Sequence, residues 1–377
     1  MNDITPIYEV KLYLNGRLIG DCRDLAQNLV WVRRRTKVGA DEIDFALNDV
    51  LFSKWCEERN TDINTMLKPL ALECRIVRDG VEIVGGFLAT MPGYSPNGTS
   101  ANLVMKFDGF LNLLNGVYIR PIGNVSGRMD ALIQRFITEA NTRSSNAGKG
   151  YGFVAGTLEQ LASVDQTFDN YKSTKEFICD RSDNITGAGP FDVYFHAEKT
   201  YDVASSNNFG DVITDWVAEY PADINSTSAM SISANEVSGF ASAVIGIGSG
   251  EVSSNSAENT AITSEQVYSP AVSEYGYYEV IMQDSSISSQ NTLNNNTATT
   301  LANSSEILWE PQITLLGRLV EPKPTGAKKI WIGDVITINN TEDLTGMTNG
   351  QFKVNELSVS VSSTGAETIT PVLERYE

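Results

Sequence analysis

Both ends of this chain are written in short runs that alternate apolar and polar residues and stop at turn residues, a pattern suited to strands with one buried face. Tyr8, Val10, Leu12 and Leu14 fall on one face, Glu9, Lys11 and Tyr13 on the other, and Asn15-Gly16 follows as a hairpin signal. Further strands are predicted at Leu29–Arg35, Glu42–Leu47, Leu70–Arg78, Glu82–Ala89 and Asn102–Phe110, with Arg78-Asp79-Gly80 as a turn. That set suffices for a small barrel or sandwich. Lys329–Ile332, Val335–Ile338, Gly350–Val361 and Glu367–Leu373 repeat the pattern, with turns at Gly333-Asp334 and Thr364-Gly365-Ala366, and predict a second β domain.

Between these blocks the period changes. Met129, Leu132, Ile133, Phe136 and Ile137 recur at helical spacing, with Asp130, Arg135 and Glu139 off that face and Ser126 placed as an N-cap. This predicts an amphipathic helix whose stripe is core rather than a cofactor contact. A second helix is predicted from Ser173 or Thr174 to about Arg181, turning Phe177 and Ile178 inward. Gly187-Ala188-Gly189-Pro190 breaks the chain, and Phe191–Phe195 alternates again to close an α+β unit. From Ser205 to Ser305 the chain is rich in Ser, Asn, Thr and Ala, yet strand-like runs occur at Ala241–Ile247 and Tyr275–Met282. A disordered linker would lack such β-branched and aromatic clusters, so this stretch reads as strands joined by long polar loops. The fold class is mainly β with an α+β insertion, divided as 1–112, 113–204 and 205–377.

With 377 residues, 41% hydrophobic and 20% charged, the chain has the composition of a folded globular protein of two or three domains. Apolar runs such as Ser242–Ile247 and Ile313–Leu316 fall far short of the ~20 residues that cross a bilayer, so no membrane-spanning segment is expected. The start Met1-Asn2-Asp3-Ile4-Thr5-Pro6 has neither the basic nor the apolar region of a signal peptide, so Sec-type export is not expected. The formal charge of −19 is uneven: residues 1–80 hold 12 Lys+Arg against 13 Asp+Glu, whereas no Lys or Arg lies between Lys199 and Arg318. A stretch without cations cannot neutralise phosphates, so specific nucleic-acid binding is not expected there.

No residue reads as catalytic, cofactor-binding or metal-ligating. Cys22, Cys56, Cys74 and Cys179 are widely spaced and His196 is the only histidine, which excludes zinc-finger spacing and favours buried free thiols made in a reducing cytoplasm. His196, beside Glu198 at a strand end, reads as a surface or turn residue rather than a catalytic base. Paired carboxylates could serve a wall-degrading glycosidase, but acids scattered along the chain read first as solvated surface. Gly246-Ile247-Gly248-Ser249-Gly250 lacks the third glycine of a dinucleotide loop and reads as a turn or bulge. Arg33-Arg34-Arg35-Thr36-Lys37 could touch phosphate, but reads better as a strand end pairing with a neighbouring subunit or with Asp41 and Glu42. Tyr275, Tyr277 and Tyr278 suggest a receptor- or carbohydrate-binding module, with a core edge or subunit interface as the preferred reading.

One order of short motifs runs over most of the chain. It begins with Leu12-Tyr13-Leu14-Asn15-Gly16, Leu29-Val30-Trp31-Val32-Arg33-Arg34 and Val38-Gly39-Ala40. The hairpin from Cys74 to Gly80 and Val84-Gly85-Gly86 follows, then Phe107-Asp108-Gly109-Phe110-Leu111-Asn112-Leu113-Leu114. It ends with Ile332-Gly333-Asp334-Val335-Ile336, Glu356-Leu357-Ser358-Val359 and Glu367 to Val372. That order resembles the hub family of siphophage tail tips, also described as minor tail or tail-associated proteins and related to the baseplate hub of contractile tails. The resemblance implies two tube-like β-barrel domains per subunit, braced by an α+β domain. It further implies a homotrimer whose pseudo-six-fold ring meets the hexamer of the tail tube or distal tail protein, the tape-measure protein and a fibre or tip protein. The chain would then be a non-enzymatic part of the virion, made in the bacterial cytoplasm, that forms part of the DNA exit channel. A wall hydrolase or a receptor-binding tail module are the alternatives. On charge alone, the 200–317 stretch either lines the lumen, where it would repel DNA, or forms an acidic outer surface.

Overall fold

The computed structural model describes residues 6–97, 100–182, 190–214, 217–220, 229–236, 240–250, 260–285, 287–305, 309–316, 330–343 and 348–376. They fall into two compact units, one from Met1–Ser233 with Pro311–Glu377 and one from Ala234–Glu310.

The first unit opens with β1 (Tyr8–Leu14) and β2 (Arg17–Asp21), joined at Asn15 and Gly16, whose φ values of 50° and 81° are those Asn and Gly tolerate best. Strands β3 (Gln27–Arg34) and β4 (Glu42–Asn48) follow, then helices α1 (Asp49–Glu57) and α2 (Ile63–Met66). Strands β5 (Leu72–Arg78), β6 (Val81–Leu88), β7 (Gly93–Asn97) and β8 (Ser100–Gly109) complete the block. A 3-10 turn at Phe110–Gly116 leads to β9 (Tyr118–Ile119), β10 (Gly123–Arg128) and helix α3 (Met129–Asn146). After these come β11 (Val154–Leu158), β12 (Ser163–Phe168), β13 (Lys172–Ser173), helix α4 (Thr174–Ser182), β14 (Phe191–Phe195) and β15 (Thr200–Ser205). Strands β16 (Ala218–Tyr220) and β17 (Ala229–Glu236) precede the second unit. That unit holds β18 (Ala243–Ile247), β19 (Thr263–Val267), α5 (Ser269–Tyr275), β20 (Glu279–Gln283) and α6 (Gln290–Ser304). The chain then returns through β21 (Trp309–Leu316), β22 (Val335–Asn340), β23 (Gly350–Val361) and β24 (Glu367–Arg375).

One large sheet carries the first unit, in the order β17-β21-β24-β23-β3-β4-β8-β6-β5-β1-β2. Its seam is the antiparallel β3–β23 pair, which sets Trp31 opposite Val359 and Arg33 opposite Leu357. The N-terminal and C-terminal β blocks are thus one continuous sheet. Alternation delivers the core: Val10, Leu12, Trp31, Phe45, Phe107, Phe352 and Val359 are buried in one cluster, where Phe45 stacks on Phe107 and Trp31 lies 6.2 Å from Trp331. Full burial of each such side chain contributes about 1.5–3 kcal/mol. A second cluster belongs to the α+β segment, where Met129, Leu132, Ile133, Phe136, Ile137 and Ala140 of α3 are buried. The Phe136 ring meets Phe168 and Phe177 nearly edge-on at 5.3 and 5.4 Å, the geometry the ring quadrupoles favour.

Four expectations are corrected. Ser126 does not cap α3: it pairs within the β10–β12 ladder, so the helix begins only after that ladder ends, with Arg128 at the cap position. Asp130 does not face solvent, because its buried carboxylate accepts the Leu161 amide (3.0 Å) and Arg128 Nη2 (2.9 Å). Of the run Lys329–Ile332, the described residues 330–332 form a bridge and a turn, not a strand. Asp334 captures the Trp331 amide at 2.8 Å, and Gly333, at φ 85°, passes so close to Phe209 that a Cβ would lie 2.4 Å from its ring. Tyr275–Met282 is not one strand either, since Tyr275 ends α5 and the extended backbone starts at Glu279.

Candidate functional site

The basic run at the end of β3 points inward. Arg33 is fully buried: Nη1 donates to Asp41 (2.7 Å), Nη1 and Nη2 donate to the Phe195 carbonyl (3.1 and 3.0 Å), and the guanidinium lies over the Tyr194 ring at 4.1 Å. Arg34 pairs with Glu42 (2.7 Å) and with Glu356 of β23 (2.6 Å). Arg35 binds Asp192 of β14 through Nη2 (2.7 Å) and Nε (3.1 Å), and donates to Asn355 of β23 through Nη1 (3.1 Å). The Thr36 amide donates to the same Asp192 (3.1 Å), and Lys37 reaches Glu374 of β24 at 2.6 Å. Five consecutive residues therefore hold the N-terminal block, the α+β segment and the C-terminal strands together. Pairing with Asp41 and Glu42 is found for Arg33 and Arg34, and the buried guanidiniums are occupied by carboxylates and carbonyls.

A second lock joins the chain's two ends. Arg78 of β5 grips Glu367 of β24 with Nε (2.6 Å) and Nη2 (3.1 Å), Tyr8 also donates to Glu367, and Trp31 Nε1 donates to the Tyr8 hydroxyl (3.3 Å). Burial, with the neighbouring Glu367 carboxylate, pushes the Tyr8 phenol far above its ordinary pKa, so it stays a donor. Beside the Arg35 contacts, Lys353 donates to the Ser206 carbonyl; burial, aided by the nearby Arg35 charge, pushes its pKa down to about 8. This arrangement fixes strands rather than presenting groups to a substrate.

No protein-family model matches the chain, and no curated protein matches its sequence. Solved structures do. The 43 kDa tail protein of prophage MuSo2 from Shewanella oneidensis superposes with a TM-score of 0.60 at 10% identity, covering 98% of this chain and 100% of that one. A tail protein from Neisseria meningitidis gives 0.59 at 13% identity, covering 97% and 96%. The chain has a phage tail-protein fold. A chain of the Francisella PdpA–VgrG complex also matches, with a TM-score of 0.52 at 11% identity, over 99% of this chain and 53% of its own length.

On this tail-protein fold none of the remaining sequence candidates is among the residues that form the clamp. His196 Nε2 meets Asp202 at 2.7 Å and its ring stands edge-on to Tyr194, with no other hydrogen bond to the imidazole among the described residues. Although burial opposes it, hydrogen bonds from His196 and the Thr157 amide hold the Asp202 carboxyl below its ordinary value. Gly246 is a glycine for packing: a Cβ there would lie 2.1 Å from Thr297 Oγ1 on α6. Gly248 and Ser249 close a backbone loop by donating to Ile262 (2.9 Å) and Ile287 (2.8 Å). Tyr275, Tyr277 and Tyr278 are exposed, Tyr275 touching the Phe240 ring and Tyr277 donating to Glu279 at 2.6 Å. Cys22, Cys56 and Cys74 are buried free thiols, Cys179 is a half-buried one, and burial pushes Cys56 and Cys179 up to about 11. Among the described residues no cluster of three His, Cys, Asp or Glu could hold a metal, and no helix is long and apolar enough to cross a membrane. Sequence reasoning missed Asp192, Glu356, Glu367 and Glu374 as clamp partners. Asp192 and Glu367 are signalled only by a buried position on a strand, whereas the half-buried Glu356 and the exposed Glu374 carry no such signal.

Proposed function

We propose that this chain is a structural hub at a phage tail tip. Three copies form a ring between the tail tube or distal tail protein and a tip or fibre, the tape-measure protein ends on it, and DNA leaves through it. The carrying observation is the likeness to two tail proteins over nearly the whole of all three chains. A sheet tied end to end by buried ion pairs suits a part that transmits load rather than one that moves around a substrate. In this reading 1–112 and 205–377 supply the tube-like barrels and 113–204 braces them. The protein is then a non-enzymatic virion component made in the host cytoplasm. Light scattering and negative-stain imaging of the purified chain test it. A species of about 123 kDa, three times 41.1 kDa, with a three-fold ring is expected; a monomer that stays monomeric at high concentration and forms no ring overturns the trimer.

A further inference from the structure

The α+β segment carries a concavity of about 400 Å³ between the end of the 3-10 turn, β9, α3 and the loop before β13. Three tyrosines line it: Tyr118 and Tyr171, with 50% and 68% of their surface exposed, and the half-buried Tyr151. Two arginines complete the wall. Arg143 is held in place, donating to the Tyr118 carbonyl (2.8 Å) and to Glu139 (3.3 Å). Arg120 is exposed and has no hydrogen-bond or ion-pair partner among the described residues. No carboxylate lines this concavity, in a chain whose formal charge is −19. A neighbouring depression of about 480 Å³ shares Tyr171 but is lined by charges of both signs, Asp169, Glu176 and Asp180 with Lys172 and Arg181.

Exposed tyrosine rings on fixed backbone offer flat apolar faces with a polar tip, and a free guanidinium beside them offers a planar fork for an oxyanion. A volume of this size is within the range of small-molecule sites. We propose that the concavity binds a sugar acid, the C–H face of the pyranose lying on Tyr118 or Tyr171 and its carboxylate on Arg120. Two features favour a saccharide over a peptide strand: the adjoining β9–β13 ladder is only two residues long, and the site is a bowl walled by α3 rather than an open sheet edge. Nucleic acid is disfavoured by the net charge of the chain. The assignment does not depend on the tail-tip reading, because it concerns the isolated chain.

The test is ligand-observed NMR and calorimetry on the full chain with oligosaccharides of uronic, sialic and muramic acids, their neutral counterparts, acetate and inorganic phosphate. At least one acidic oligosaccharide is expected to bind at millimolar or better affinity. Arg120→Ala and Tyr171→Ala should each weaken that binding roughly tenfold, with unchanged circular dichroism, while Tyr94→Ala, at an exposed tyrosine of β7 that does not line the concavity, leaves it intact. Three results overturn the proposal: no acidic sugar binds, neutral sugars or acetate bind as tightly, or Tyr171→Ala and Arg120→Ala bind like the parent. Both residues are exposed, so loss of folding is not expected to obscure the readout.

Discussion

Asp192 is the residue on which the clamp turns. Its carboxylate, 1% exposed, takes Arg35, the Thr36 amide and the Ser206 hydroxyl, so every lone pair has a use. Asp192→Ala leaves the Arg35 guanidinium buried without its counter-ion and should cost about 3–5 kcal/mol in urea unfolding at neutral pH. Replacing both partners, Arg35→Met with Asp192→Leu, should cost clearly less than the sum of the single changes, since no charge is then stranded. Lys353, beside this pair, gives the clamp a pH signature. Its folded pKa of about 8 lies below the ordinary lysine value of 10.5, so between those two pH values the unfolded chain binds more protons. Its contribution to stability therefore rises with pH through that window and is constant below it. The unfolding free energy of the parent minus that of Lys353→Met should grow from pH 8 to pH 10; a flat difference would show that Lys353 is not desolvated.

The elements show why some of the fold was legible and some was not. The β1–β2 hairpin was readable because Asn15-Gly16 encodes its own turn and Tyr8, Val10 and Leu12 encode their own face. Helix α3 was readable for the same reason, its stripe repeating over three turns, but its start was set by the β10–β12 ladder, which no local signal reports. Helix α6 was missed because its sequence is mostly Asn, Thr and Ala; among its described side chains only Leu293, Thr297 and Leu301, four residues apart, are buried, with Ser289 as cap. Gly246 in β18 was visible, yet its reason was not, because that reason is α6 itself. Gly246→Val pushes a branched side chain into Thr297 and Leu293 and should destabilise the second unit by about 1–3 kcal/mol. Hydrogen exchange should locate the change in residues 240–305 and leave the β3–β23 seam protected.

At the scale of the whole molecule, chain order and spatial order part company. The large sheet begins near Tyr8 and is completed only by strands ending at Arg375, and the Arg78–Glu367 pair bridges β5 and β24. The clamp's partners were therefore invisible along the sequence: Arg35 meets Asp192 and Asn355 only after three blocks have docked. This topology also says what the structure can lose. The two main hydrophobic clusters draw only on residues outside 234–310, and the second unit has its own small cluster of Ala241, Val244 and Leu301. The strands that flank the inserted unit, β17 and β21, are neighbours in the large sheet, so a linker can rejoin them. Replacing residues 237–308 by a short Gly-Ser linker should leave the first unit folded, with its melting temperature within ~3 °C of the parent, less than about 1 kcal/mol for a unit of this size. Collapse of the melting transition in that variant would mean that the sheet draws stability from the inserted unit. The molecule would then be one cooperative body, not a locked frame carrying a separable module.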